Sequence, residues 1–243
     1  MAAAASFSST KGATNYAKLC RLLVSVGSDV LREVFDSLRK PGALSDFLTS
    51  PSVMSVLQLL RGKRVLNLKQ WEKLFPANMQ SVTSKEYDIT LLMVLLRHTC
   101  NLDPPVTGWD SSPPATDISM PADIARIKYY RNTVYAHANE ASVDDEQYAM
   151  YWQEIKDSLV RLGGQHYEST IDRLATGYMD LEVEEHYQDL LKHWVQDEEN
   201  IKGRLDEIAE KLERKLEDVR EIIVSRSGVE GKYIISEHAI LRF

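Results

Sequence analysis

Cysteine is nearly absent: Cys20 and Cys100 are the two among 243 residues. They have no paired spacing and no neighbouring histidine cluster, which argues against a disulfide framework or a zinc site. Both read as reduced core thiols. Long apolar runs are missing as well. The longest, "LLMVLL" at 91 to 96, is far short of the roughly 20 residues that cross a bilayer. The opening "MAAAASFSSTKGA" has no apolar h-region of a secretory signal, so a soluble cytoplasmic protein is expected, with no membrane partner. Neither a glycine-rich phosphate loop nor a G-x-S-x-G elbow occurs, and nothing calls for a cofactor.

Excess positive charge is also lacking. The net charge is -7, and it is uneven. Residues 1 to 165 hold 18 Lys and Arg against 17 Asp and Glu, whereas residues 166 to 243 hold 11 against 19. An acidic chain repels polyphosphate at long range, so coating of DNA or other nucleic acid without specificity is not expected. Any RNA chemistry needs a local site in the first part.

What is present is helical periodicity. From Tyr16 to Leu38 a broad apolar stripe recurs at helical spacing and stops before "RKPG". "SPSVMSVLQLLRGK" and "LKQWEKLFP" read as shorter helices, and "SKEYDITLLMVLLRHTC" as a central helix, apolar almost all round. The following loop, "NLDPPVTGWDSSPPATDISMP", holds five of the eight prolines and is stiff and extended. A helix starting near Pro121 comes next, then "DDEQYAMYWQEIKDSLVRLGG", acidic at its start and closed by paired glycines.

The expected architecture is all-α. It comprises an irregular N-terminus over 1–13, an up-and-down bundle over 14–165, an acidic helical extension over 166–225, and a tail or further module over 226–243. In the extension, apolar residues fill nine of eleven heptad positions counted from Tyr187 through Leu191 and Trp194 to Ile222. That pattern suits a coiled-coil seam and equally a long helix folded back on the bundle. Near the end, "KYIIS" is a weak strand pattern.

Glu182, His186, Asp189 and His193 form a helical stripe of possible metal ligands. The stripe lies on the solvated back of the heptad helix, so no metal site is expected. Arg61, Lys63 and Arg64 form a short basic patch that reads as a solvated turn or as a phosphate contact.

The segment "IKYYRNTVYAHAN", 127 to 139, behaves differently. On a helical wheel Arg131 falls within about 20° of Ile124, in the middle of the apolar face. A guanidinium there must snorkel, pair or meet an anion. His137 lies beside Tyr130 at the edge of that face, about 120° and about 9 Å along the axis from Arg131. The two reach one atom only if the helix end bends or a second protomer contributes. The structural alternative pairs Arg131 with a core carboxylate such as Asp88 and leaves His137 as a helix-end residue.

"RNTVYAH" resembles the R-x(4–6)-H signature of the HEPN superfamily. "VLNLKQWEKLFP", "YDITLLMVLLRHTCNLDPPVTGWD", "PPATDISMPADIARIKYYRNTVYAH" and "YWQEIKDSLVRLG", in that order, are similar to the HEPN subfamily named after the DAZ-interacting zinc-finger ubiquitin ligase. The similarity covers roughly residues 14 to 165. The resemblance implies a helical bundle, frequently dimeric, whose active members cleave RNA without metal. It makes Arg131 and His137 the catalytic pair and Asn132 a supporting polar residue. No RING module accompanies it, so ligase activity does not carry over.

Metal-free cleavage activates a ribose 2′-OH against the adjacent phosphate. Histidine supplies base or acid, and arginine's fork grips the phosphate. One histidine cannot be both acid and base at once, so this chemistry expects a homodimer on single-stranded RNA. Tyr130, Trp109, Arg61, Lys63 and Arg64 would line the substrate path, with Trp109 either stacking a base or anchoring the proline-rich loop. The rival expectation is a non-catalytic dimerisation or interaction module of a multidomain signalling, ubiquitin-pathway or innate-defence protein, with protein partners on the C-terminal extension.

Overall fold

A computed structural model describes residues 10–39, 43–193 and Arg214. Over these residues the chain is helical, and no strand occurs among them. Residues 1–9, every heptad position from Trp194 onward, and the 226–243 tail with its "KYIIS" stretch lie outside the described residues.

The first long helix is three pieces in line: α1 (Lys11–Arg21), a π-helical stretch (Leu22–Gly27) and α2 (Ser28–Leu38). Thr10 starts it by accepting from the Ala13 amide at 3.2 Å, which satisfies one of the orphan donors of a first turn. α3 (Leu44–Thr49), a helix the periodicity did not mark, precedes α4 (Pro51–Gly62) and α5 (Leu68–Leu74). α5 opens on a reciprocal capping box between Asn67 and Gln70.

α6 (Ile89–Thr99) starts five residues later than the apolar pattern suggested, because Ser84–Glu86 is a short 3-10 turn and Asp88 is the cap. α7 (Met120–Ala136) is capped by Ser119 with Pro121 in its first turn. α8 (Asp145–Gly163) is capped by Asp144 and closed by Gly164, whose φ of +98° favours glycine. Next comes α9 (His166–Thr176), and α10 occupies 181–193.

α7 and α8 run antiparallel along each other, α2 packs against α6 and α8, and α1 against α7 and α8. Leu19, Leu31, Phe35, Leu91, Leu95, Ile127, Val134, Ile155 and Leu159 are fully buried at their centre. Both cysteines are free thiols, and burial holds them protonated: Cys20 is pushed up to about 12 and Cys100 upward.

Packing continues past residue 165. α10 lies on α1 and the π-helical stretch: Thr14 Oγ1 donates to Glu184 at 3.0 Å, Ser25 Oγ to Tyr187 at 3.2 Å, and the Arg21 guanidinium sits 5.5 Å from the Tyr187 ring centre. Tyr187 packs against the core and Leu191 is fully buried, so the first two heptad positions fold back on the bundle. Leu191→Ala should therefore destabilise the isolated chain by about 2–5 kcal/mol in thermal or denaturant unfolding. Unchanged stability would mean that Leu191 serves only contacts between chains.

Candidate functional site

Arg131 and His137 both come from α7, and the helix presents them to different neighbours. Arg131 is 1% exposed. Its Nη1 donates to Thr90 Oγ1 of α6 at 3.1 Å and lies 3.8 Å from Met93 Sδ, while Nε and Nη2 fork onto Asn132 Oδ1 at 3.1 and 2.9 Å. Asp88, the carboxylate expected from the sequence as a partner, is engaged instead at the start of α6. It accepts from the Leu91 amide at 2.9 Å and faces Lys73 Nζ at 3.5 Å. Asn132 is on the exposed side of α7 and turns its amide oxygen back to the arginine.

His137 is the residue on which α7 ends. Its amide hydrogen-bonds the Val134 carbonyl at 3.1 Å, and its own carbonyl accepts from Ala141 at 2.8 Å as the chain turns, with Ala141 at φ +46°. Buried Asn15 of α1 holds the far side of that turn by donating to the Val143 carbonyl at 3.2 Å. The half-buried imidazole lies 6.2 Å from the ring of Tyr151 on α8. It closes a row of rings in which Tyr129, Tyr130 and Tyr151 follow one another at 5.2 and 5.6 Å. Tyr130 is buried in that row, and desolvation, with Glu154 nearby, pushes its hydroxyl up to about 12. It is packed as a core aromatic and remains a neutral phenol at physiological pH.

The basic patch divides. The Arg61 guanidinium stacks 4.3 Å from the Trp71 ring centre of α5, Lys63 caps the end of α4, and Arg64 turns the chain at φ +59°. Trp109 is half-buried against the core with Arg97 of α6 5.5 Å from its ring centre, which is the loop-anchor geometry. A cavity of about 630 Å³ opens between the ends of α2 and α6 and the start of α4, lined by Phe47, Val53, His98 and Cys100 among others. A second, of about 370 Å³, lies over the π-helical stretch. Arg131 and His137 line neither.

One polar centre had no expectation attached. Asp123, 1% exposed, accepts from Arg126 Nη1 at 2.6 Å and from Arg161 Nη2 and Nε at 2.6 and 2.8 Å. Arg126, itself 2% exposed, also donates to the carbonyls of Pro114 and Asp117, which ties the proline-rich loop to α7. The trace it leaves in the sequence is an acid and an arginine three apart on a helix that is otherwise apolar there.

Among the described residues no group of three or more His, Cys, Asp or Glu gathers as a metal site, and no helix is long and apolar enough to cross a membrane. On the stripe of possible ligands from which no metal site was expected, the His193 ring bonds the Asp189 carbonyl at 2.7 Å, and His186 packs on Tyr187.

A family model described as DZIP3/hRUL138-like HEPN matches residues 41–187. Human E3 ubiquitin-protein ligase DZIP3 is 29% identical over 173 residues, covering 68% of this chain and 14% of the ligase. The mouse ligase of the same name is 28% identical over 174 residues, with the same coverage. The chain thus spans about one seventh of the length of these relatives. No solved structure matches it.

Proposed function

Because the chain belongs to the DZIP3/hRUL138-like HEPN family, we propose that its bundle is a helical interaction module of a larger cytoplasmic protein, with Arg131 built into the fold. One observation carries this reading. The guanidinium is 1% exposed and hydrogen-bonded to Thr90 and Asn132, while the imidazole of His137 rests on α8. A cation that grips a scissile phosphate has to reach it, and drawing this one out would break buried charge-assisted hydrogen bonds, each worth about 1.5–3 kcal/mol. The relatives, named as ubiquitin-protein ligases and mostly made of other sequence, support a ubiquitin-pathway setting. Self-association and protein partners on the C-terminal extension belong to this reading.

A second reading, a metal-independent endoribonuclease, draws on the accessible half of the motif. His137 is half-buried and Asn132 exposed. In it two chains pair about a two-fold axis. One His137 takes the 2′-OH proton, the other protonates the leaving 5′-oxygen, and Arg131, freed from Thr90, neutralises the phosphorane.

Incubating the chain with end-labelled single-stranded RNA in chelator separates the two. Absence of turnover at any protein concentration supports the module. Turnover that disappears in His137→Ala supports the nuclease. The same substitution should cost less than about 1 kcal/mol of stability, since the imidazole is half-buried and its ring lies 6.2 Å from that of Tyr151.

A further inference from the structure

α9 and α10 are joined by residues 177 to 180, which belong to neither helix. Gly177 lets the chain leave α9 abruptly, since a Cβ there would lie 2.9 Å from the Arg173 carbonyl oxygen, and its backbone is extended at φ -63° and ψ 143°. Asp180 sets the start of α10 by accepting from the Val183 amide at 2.9 Å. Between these fixed ends Met179 is buried, while Tyr178 before it is 91% exposed and Leu181 after it is 46% exposed. One inward side chain thus pins the join and leaves an aromatic and an aliphatic side chain outside, three residues apart.

The other described tyrosines are buried or half-buried, apart from Tyr129, which is 43% exposed and rests its ring on Tyr130 at 5.2 Å. Tyr178 is the one among them that is exposed with neither a hydrogen bond nor a ring contact. Its surroundings are acidic, with Asp180, Glu182 and Glu185 all exposed. An enzyme that modifies a phenol has to draw the hydroxyl into its own cleft, and a free ring on a surface join permits this where a packed ring on a helix does not.

We propose that Tyr178 is a phosphoacceptor for a protein tyrosine kinase, and that its phosphate, together with Leu181, docks a phosphotyrosine-recognising domain of the SH2 type. In the transfer the phenol oxygen attacks the γ-phosphorus of ATP, the bond to the ADP oxygen breaks, and the phenolic proton passes to a carboxylate of the kinase. The tyrosine gains a charge of about -2 and three acceptor oxygens. An SH2 domain takes such a phosphate on an arginine fork and an apolar side chain three residues on in a second pocket. Both outward side chains of the join meet that requirement, and the acidic surroundings match a basic recognition surface. This names a partner class for the interaction-module reading and rests on it. The site uses neither Arg131 nor His137.

The whole chain, incubated with ATP, magnesium and a recombinant tyrosine kinase active on an acidic tyrosine copolymer, tests this. It should take up about one phosphate, placed on Tyr178 by peptide mass mapping. Tyr178→Phe should remove nearly all of the uptake and melt as the parent does, while Tyr129→Phe should leave uptake unchanged. In a binding titration, an SH2 domain that prefers an apolar third residue should bind the phosphorylated chain at least about fiftyfold more tightly than the unmodified one. Leu181→Ser should weaken that binding about tenfold without lowering phosphate uptake. The proposal is overturned if the chain takes up no phosphate, if Tyr178→Phe is labelled as the parent is, or if phosphorylated and unmodified chains bind the SH2 domain alike. RNA turnover in chelator tests the module reading separately, so a failure here strikes this site and leaves that reading standing.

Discussion

Asp123→Ala is expected to lose about 3–5 kcal/mol of stability, because it strips a buried carboxylate from two arginines that stay behind. Arg126 is 2% exposed and has no route to water without local opening. Arg161, about a third exposed, can resolvate part of its charge, which places the loss below the sum of two buried pairs. For a chain of this size the melting temperature should fall by about 6–20 °C in a circular-dichroism melt. Arg126→Ala should fall comparably and also open the backbone around Pro114 and Asp117 to proteolysis. A melt within 2 °C of the parent for Asp123→Ala would show that the cluster is not held as described.

The second large effect is expected at Arg131. Arg131→Ala leaves a cavity beside α6 and removes the donors that Thr90 and Asn132 use, for a loss of about 2–4 kcal/mol. Arg131→Met restores most of the volume without the hydrogen bonds and should recover about half of that loss. An arginine that served only to bind substrate at the surface would change stability by no more than about 0.5 kcal/mol when replaced. The pair of melts therefore measures how far the motif's arginine belongs to the scaffold, without reference to any activity.

The helical class and the placing of Arg131 inside the bundle were legible because both rest on periodicity. The 3.6-residue stripe marks a face wherever apolar residues repeat, and Arg131 lies on it as plainly as Ile127 does. The arginine's partner was not legible. Asp88 borders the apolar run of α6, but it stands at the residue where that helix begins, and the Leu91 amide claims it first. Asp123 and Arg161 are 38 residues apart, a distance only the antiparallel pairing of α7 and α8 closes. Six-residue α3 is too short to show a stripe, and Tyr187 with Leu191 suits a bundle face as well as a coiled-coil seam.

The π-helical stretch at Leu22–Gly27 left no mark either, since one surplus residue inside a wide stripe costs the pattern nothing. Its effect is a phase change: the wider turn lets α1 and α2 aim their apolar sides at different sets of neighbours along one unbroken rod. Winding the same six residues as regular α-helix would rotate everything before them, relative to everything after, by up to about 100°. Thr14, Tyr16 and Leu19 would then swing away from the partners they now meet. The wide turn thus absorbs one surplus residue and keeps both halves of the rod in phase with their neighbours.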